Sequence, residues 1–418
     1  METACAATGA FRDATIDDML ISPEMMLDPY PVYARLRDEF PIFWSERWQA
    51  WIVSRYDDVS ATLRDNENLS NERRQETLFA GLSSSQREQL ARLRHYFAEK
   101  DVIGSDPPDH NRIRRLVARA FTPRTISALQ PRITEVAAEL VTEALGPGEP
   151  FDFVAAISHP LPVIVIAEVL GAPAADRPLF KKWSADILGF QGTGTTTLQA
   201  AAIAQASLIE LFDYMSTLIE DRKRAPRDDV ITALALAEED SQRLTRDELL
   251  ASCNTLLTAG HETTTNLLGN LIGLLLHTPY AWEMVRRDRP LRATAVEEAF
   301  RFEAPKQRNF RRVRSQHVFH GATLAVDQLL FQLIGSANRD PRHFSGPDTF
   351  DVTRDPNSHL SLGAGIHFCL GAPLARMEAR ILLDAILDHA PAIRLCAQPQ
   401  VWQGRPQFRG PGEMWLAP

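Results

Sequence analysis

Between His359 and Arg380 the chain sets one cysteine, Cys369, among Gly363, Gly365 and Gly371, with His367 just before it and Pro373 soon after. Glycines spaced this way let the backbone turn tightly and approach a flat object closely. Pro373 suits the first turn of a helix, and Leu374 to Leu383 reads as an amphipathic helix. Amides at the start of that helix would point back toward Cys369, where the positive end of the helix dipole favours a thiolate. No other stretch restricts the possible folds as strongly. A single thiolate in a glycine loop suits a metal held on its other sides by something other than protein. Taken alone, the loop would read as a buried, inert cysteine in a glycine turn.

Haem iron with one axial cysteine meets the metal description. The stretch resembles the haem-binding loop of the cytochrome P-450 family, aromatic-x-x-Gly-x-x-x-Cys-x-Gly, which here runs from Leu362 through Gly365 and Cys369 to Gly371. Leu362 stands where the family usually has Phe, which leaves the redox potential of the iron open. The resemblance implies that Cys369 is the axial ligand of haem b, seated in a loop shaped by Gly363 and Gly371.

Three further motifs agree with it. His110 and Arg114 are four apart on one helix face. They match a His-x-x-x-Arg pair that contacts a haem propionate, and two donors on one face suit a carboxylate. Thr245 and Glu248 form a capping box that opens a long, largely apolar helix reaching about His277. At about 1.5 Å per residue it spans on the order of 50 Å. Inside it, Ala259-Gly260-His261-Glu262-Thr263 matches the family's oxygen-activation motif. A Thr hydroxyl can bond a carbonyl one turn back and open a groove beside Gly260; Glu262 and Thr263 are the implied proton-delivery pair. His261 occupies the variable position and reads as structural. Glu298 and Arg301 match the Glu-x-x-Arg ion pair. Its usual third partner, an Arg, is replaced by Thr349, and Arg354 is the candidate substitute. By the same resemblance Arg311, with Arg312 as the alternate, and His367 bind propionates.

Hydrophobic content of 44% and charged content of 24% are ordinary for a globular protein. A net charge of -9 argues against general nucleic-acid binding. The four cysteines, Cys5, Cys253, Cys369 and Cys396, are scattered, so neither a zinc site nor a disulfide framework is indicated. No apolar run is long enough for a membrane span. The expected fold is mainly α with small β-sheets, one cytochrome P-450 domain over residues 1–418, with residues 1–20 loosely ordered. Helices are expected at Pro29–Phe40, Tyr56–Arg64, 85–98, 125–145, 160–170, 174–188 and 196–223, and strands at 313–324 and 328–334. The turn Ala325-Val326-Asp327 replaces the family's Pro-Ala-Gly and is expected to be less constrained. Gly189 to Gly194 reads as a flexible break, which in the family is the lid over the substrate channel.

The resemblance implies a monooxygenase that inserts one atom of dioxygen into a small or medium, largely apolar organic substrate. Electrons would come from a separate ferredoxin-type donor with its reductase. The protein is expected to be a cytoplasmic, bacterial-type monomer with no membrane or nucleic-acid partner. Two rivals stand beside this: a peroxide-driven haem-thiolate enzyme, and a helper or sensor protein without turnover. The acid–Thr pair argues against the first, and intact Cys369, Glu262 and Thr263 against the second. Arg112, Arg115, Arg119, Arg376 and Arg380 are candidates for a basic docking patch for the donor, or simply a solvated face. Phe79, Leu82 and Phe97 are possible pocket residues. Lys306 follows Arg301 by five residues, where similar sequences usually carry Val. It either reads a substrate carboxylate, or snorkels outward, or pairs with Glu303.

Overall fold

The computed structural model describes residues 12–79, 81–192, 197–237, 242–404 and 406–418. Its centre is the helix Arg246–His277, 32 residues long. Thr245 Oγ1 accepts from Glu248 N, and Glu248 returns a bond to Thr245 N at 2.9 Å, so the helix starts where its capping box lies. Most of its residues are buried, because it packs against the helices Pro160–Val169, Arg177–Gly192, Leu291–Phe302 and Ala372–His389. A helix enclosed this way must be apolar nearly all round, which explains its run of leucines. No helix among the described residues is long and apolar enough to cross a membrane.

To one side lies a five-stranded sheet in the order Phe43–Ser45, Ala50–Val53, Leu329–Leu333, Arg308–Val313, Leu69–Ser70. Ala50–Val53 and Leu329–Leu333 pair in parallel; the other neighbours are antiparallel. The strand Arg308–Val313 departs from expectation, which began the strands at 313. Its sequence is too basic to show alternation. Arg308 is accommodated by lying 4.2 Å above the Trp48 ring and 4.8 Å above the Phe331 ring, a stacking that neutral strand propensity does not foresee.

Other boundaries also shift. Residues 12–20 are not loose: Asp13 caps the helix Ala14–Met19, and Ile16 and Leu20 are fully buried. The helix expected over 125–145 is two, Pro123–Ala128 and Gln130–Leu145, and the one over 85–98 is also two, Ser84–Gln89 and Ala91–Ala98. In the turn Ala325-Val326-Asp327, Asp327 takes φ of 70°, a conformation an Asp tolerates better than most residues. The helix Arg177–Gly192 runs through Gly189; the rest of the expected lid break, 193–194, lies outside the described residues, as do residues 1–11.

Candidate active site

The cysteine loop is held by its own backbone. Cys369 N donates to Leu362 O at 2.9 Å. Gly363 and Gly365 take φ of 74° and 67°, which a side chain would resist. At Gly365 a Cβ would also meet Arg64 Cα at 3.3 Å, because the loop presses on the helix Tyr56–Arg64. Gly371 N-caps the helix Ala372–His389, and its amide bonds the Cys369 thiol. Burial nevertheless pushes that thiol up; the Gly371 amide and the charges of Arg114, Lys306 and Arg376 pull it down without reversing the shift. The helix start alone therefore does not make a thiolate here. A coordinated metal ion would, since it deprotonates its thiol ligand outright.

On the central helix, Ala259 is exposed and Gly260 and Thr263 are half-exposed, between turns that are buried. An opening in the middle of an enclosed helix marks a cavity wall. Thr263 Oγ1 donates to Ala259 O at 2.8 Å, the back-bond expected of it. A Cβ at Gly260 would meet Ile166 at 3.5 Å, an ordinary packing contact. Glu262 is buried. His261 points away to Ser184 Oγ at 2.8 Å and His159 Nε2 at 3.3 Å, a structural role.

His110 and His367 lie together, ring centroids 4.2 Å apart. His367 Nδ1 meets Val102 O at 3.2 Å, and Arg114 donates to Phe368 O at 2.6 Å. His110 Nε2 is buried with no hydrogen-bond partner among the described residues. Burial holds the His110 imidazole below its ordinary pKa, and both Arg114 and Arg311 add to that. Arg311, reaching in from the sheet, donates to Leu69 O at 2.7 Å and Asn66 Oδ1 at 3.1 Å. With His110 Nδ1 turned to Asn111 Oδ1 at 3.0 Å, Nε2 can donate only from the imidazolium; an anion set among these groups would favour that form, and the propionates of a haem would supply one. The residues present fit that cofactor.

Beneath the site, Glu298 and Arg301 are fully buried and joined by bonds of 2.7 and 2.8 Å. Arg301 also donates to the carbonyls of Asn338, Pro347 and Thr349. Thr349 thus takes part through its backbone.

Other expectations change. Arg112 is paired with Glu248 and Arg376 with Glu297, the latter at 2.7 Å. Burial would raise Glu297, but bonds from His359 and Arg376 outweigh it and hold the carboxyl at about 2. Arg112 and Arg376 therefore contribute little to a docking patch, while Arg115, Arg119 and Arg380 are exposed, as is Phe368 beside the cysteine. Phe79 and Phe97 line a cavity of about 520 Å³ with Gly104 and Arg94, and both rings pack on Phe190; Leu82 is buried outside that lining. Lys306 Nζ donates to Asn309 Oδ1 at 3.0 Å. Glu303, considered as its partner, is turned to Arg409 and Tyr30 at 2.5 and 2.6 Å. Asn309 carried no signal in the sequence, since its importance comes only from what reaches it.

A thiol offered by a glycine loop, together with a helix groove opened by its own threonine, is what a haem-thiolate oxygenase requires. Comparison with known proteins agrees. The sequence model described as Cytochrome P-450 matches residues 199–389. The chain is 37% identical over 365 residues to a putative cytochrome P-450 of Bacillus subtilis, covering 87% of each. It is 37% identical over 398 residues to a cytochrome P-450 monooxygenase of Streptomyces venezuelae, covering 93% of this chain and 91% of that one. A solved cytochrome P-450 from Chondromyces apiculatus superposes with a TM-score of 0.85 at 35% identity, over 95% of this chain and 97% of that one. The chain belongs to the cytochrome P-450 family. It is a haem-iron monooxygenase that uses dioxygen and redox partners to oxidise an organic substrate.

Proposed function

We propose that residues 1–418 form one catalytic domain that holds haem b through the Cys369 thiolate, with His110, Arg114, Arg311 and His367 receiving its propionates. The observation that carries this reading is the unpartnered, buried His110 Nε2 beside His367; a propionate there would draw the ring to its imidazolium form, which donates from Nε2 as well as Nδ1. Bound haem activates dioxygen, so that one atom enters the substrate and the other leaves as water. The chain's own work is to bind, orient and deliver protons. Glu262 passes protons inward, and Thr263 Oγ1, on the wall of the Gly260 groove, holds the proton donor in place. The Glu298–Arg301 pair keeps the cysteine loop in register. The substrate is a small or medium, largely apolar organic molecule. Electrons arrive from a ferredoxin-type donor with its reductase, and the protein works as a cytoplasmic monomer.

Replacing Cys369 with Ala tests the reading. The reduced carbon monoxide complex of the wild type should show the red-shifted band of thiolate ligation, and the variant should lose it. A variant that kept the band would remove Cys369 from the iron.

A further inference from the structure

The sheet wall that carries Arg311 holds a second polar group of residues. Along Arg308–Val313, Arg308 and Phe310 turn toward Phe331, so alternation puts Asn309 on the opposite face with Arg311. Asn309 is the register partner of Gln332. Gln332 is fully buried, and neither its amide oxygen nor its nitrogen has a hydrogen-bond partner among the described residues. A buried amide in that state calls for a water or a ligand. Lys306 is half-buried and its ammonium bonds Asn309 Oδ1. The backbone there is pinned on its other side, where Lys306 bridges Phe408 and Gln307 N donates to Gln407 O at 2.9 Å. Asn309 shares its sheet face with Arg311, the residue proposed to receive a haem propionate, so the ammonium that Asn309 holds lies along the same wall. Glu303 is engaged by Arg409 and Tyr30 on the far side.

We propose that Lys306, positioned by Asn309, binds a carboxylate of the substrate and so sets which carbon is oxidised. This rests on the monooxygenase reading, because the substrate must enter the cavity between the cysteine loop and the central helix. An ammonium has three donor hydrogens, so it can hold Asn309 and an incoming anion together. A carboxylate forms a charge-assisted bond with it, and in a desolvated cavity such a bond outweighs a neutral one. The substrate class is then an amphiphilic monocarboxylic acid, its charge at the sheet and its chain over the haem. A haem propionate is the other carboxylate an ammonium here could meet, and the test separates the two.

The haem-loaded protein is titrated with dodecanoate, hexadecanoate and their methyl esters, following the Soret shift. Imidazole serves as a control for an open iron. In the wild type at least one acid should bind roughly 10- to 100-fold tighter than its ester. Lys306→Leu should erase that preference while haem content and imidazole binding stay the same, and Asn309→Ala should weaken it. If neither acid outdoes its ester in the wild type, the proposal is overturned without recourse to any variant; imidazole binding would then show that the haem reading stands. Loss of haem from Lys306→Leu, with the acid preference retained in what remains loaded, would assign the lysine to a propionate and equally overturn it.

Discussion

Arg354 donates its Nε to Glu298 Oε2 at 3.2 Å across a sequence separation of 56 residues, and so fills the place of an arginine that the chain lacks at Thr349. Glu298 also accepts from Asp351 N and Asn357 Nδ2, both at 2.9 Å. Its carboxylate therefore ties the helix Leu291–Phe302 to the segment leading into the cysteine loop. A buried charge with this many donors is stable only as a complete set.

Removing the carboxylate should cost more than removing the added arm. Glu298→Gln leaves Arg301 buried and uncompensated, at about 3–5 kcal/mol. Arg354→Ala removes the charged bond to Glu298 and two exposed bonds to the carbonyls of Ser345 and Gly346, at the edge of the network, at about 1.5–3 kcal/mol. Urea unfolding of the two variants measures the difference. Equal losses would mean that Arg354 is an integral member of the set.

Thr263→Ala removes the bond to Ala259 O and the hydroxyl in the groove, but not a group that holds the cofactor. Haem content and imidazole affinity should match the wild type. Product formed per electron consumed should fall several-fold, with peroxide or water formed instead. Coupling unchanged from the wild type would take Thr263 out of proton delivery.

Glu378, on the helix Ala372–His389, is fully buried in the apolar core, and burial pushes its carboxyl up from 4.5 to about 8. The folded protein keeps a proton that the unfolded chain releases. The contribution of this group is thus full below about pH 4.5 and declines by about 1.4 kcal/mol per unit as pH rises, until about pH 8. Glu378→Gln should therefore stabilise the protein by about 3 kcal/mol at pH 7, and by progressively less toward pH 5. Stability curves in urea across this range provide the check; parallel curves for variant and wild type would show that the carboxyl is not held neutral.

Donor docking should depend on the exposed Arg115 and Arg380 more than on the half-buried Arg112 and Arg376. Arg115→Glu with Arg380→Glu should slow transfer of the first electron from a ferredoxin several-fold at low salt, and the difference should shrink as salt screens it. Stopped-flow reduction under carbon monoxide reads that step. No change at low salt would place the donor on another surface.

Local chemistry made much of this protein legible from its sequence. Glycines at 363 and 365, the capping pair Thr245 and Glu248, and the back-bonding Thr263 act on neighbours within a turn or two, so their positions predict their roles. The same holds for Glu298 and Arg301, one helical turn apart. Tertiary packing decided the rest. The strand Arg308–Val313 exists because Leu329–Leu333 offers it hydrogen bonds and Trp48 and Phe331 offer Arg308 their ring faces. Arg112 and Arg376 left the presumed docking face because Glu248 and Glu297 come within reach only after the helices pack. Lys306 is placed beside Asn309 by a strand that begins after it and by a bridge to Phe408 about a hundred residues on. Short-range hydrogen bonds and backbone conformations are written in adjacent residues; the partner of a long charged side chain is fixed only by which distant segment folds up against it.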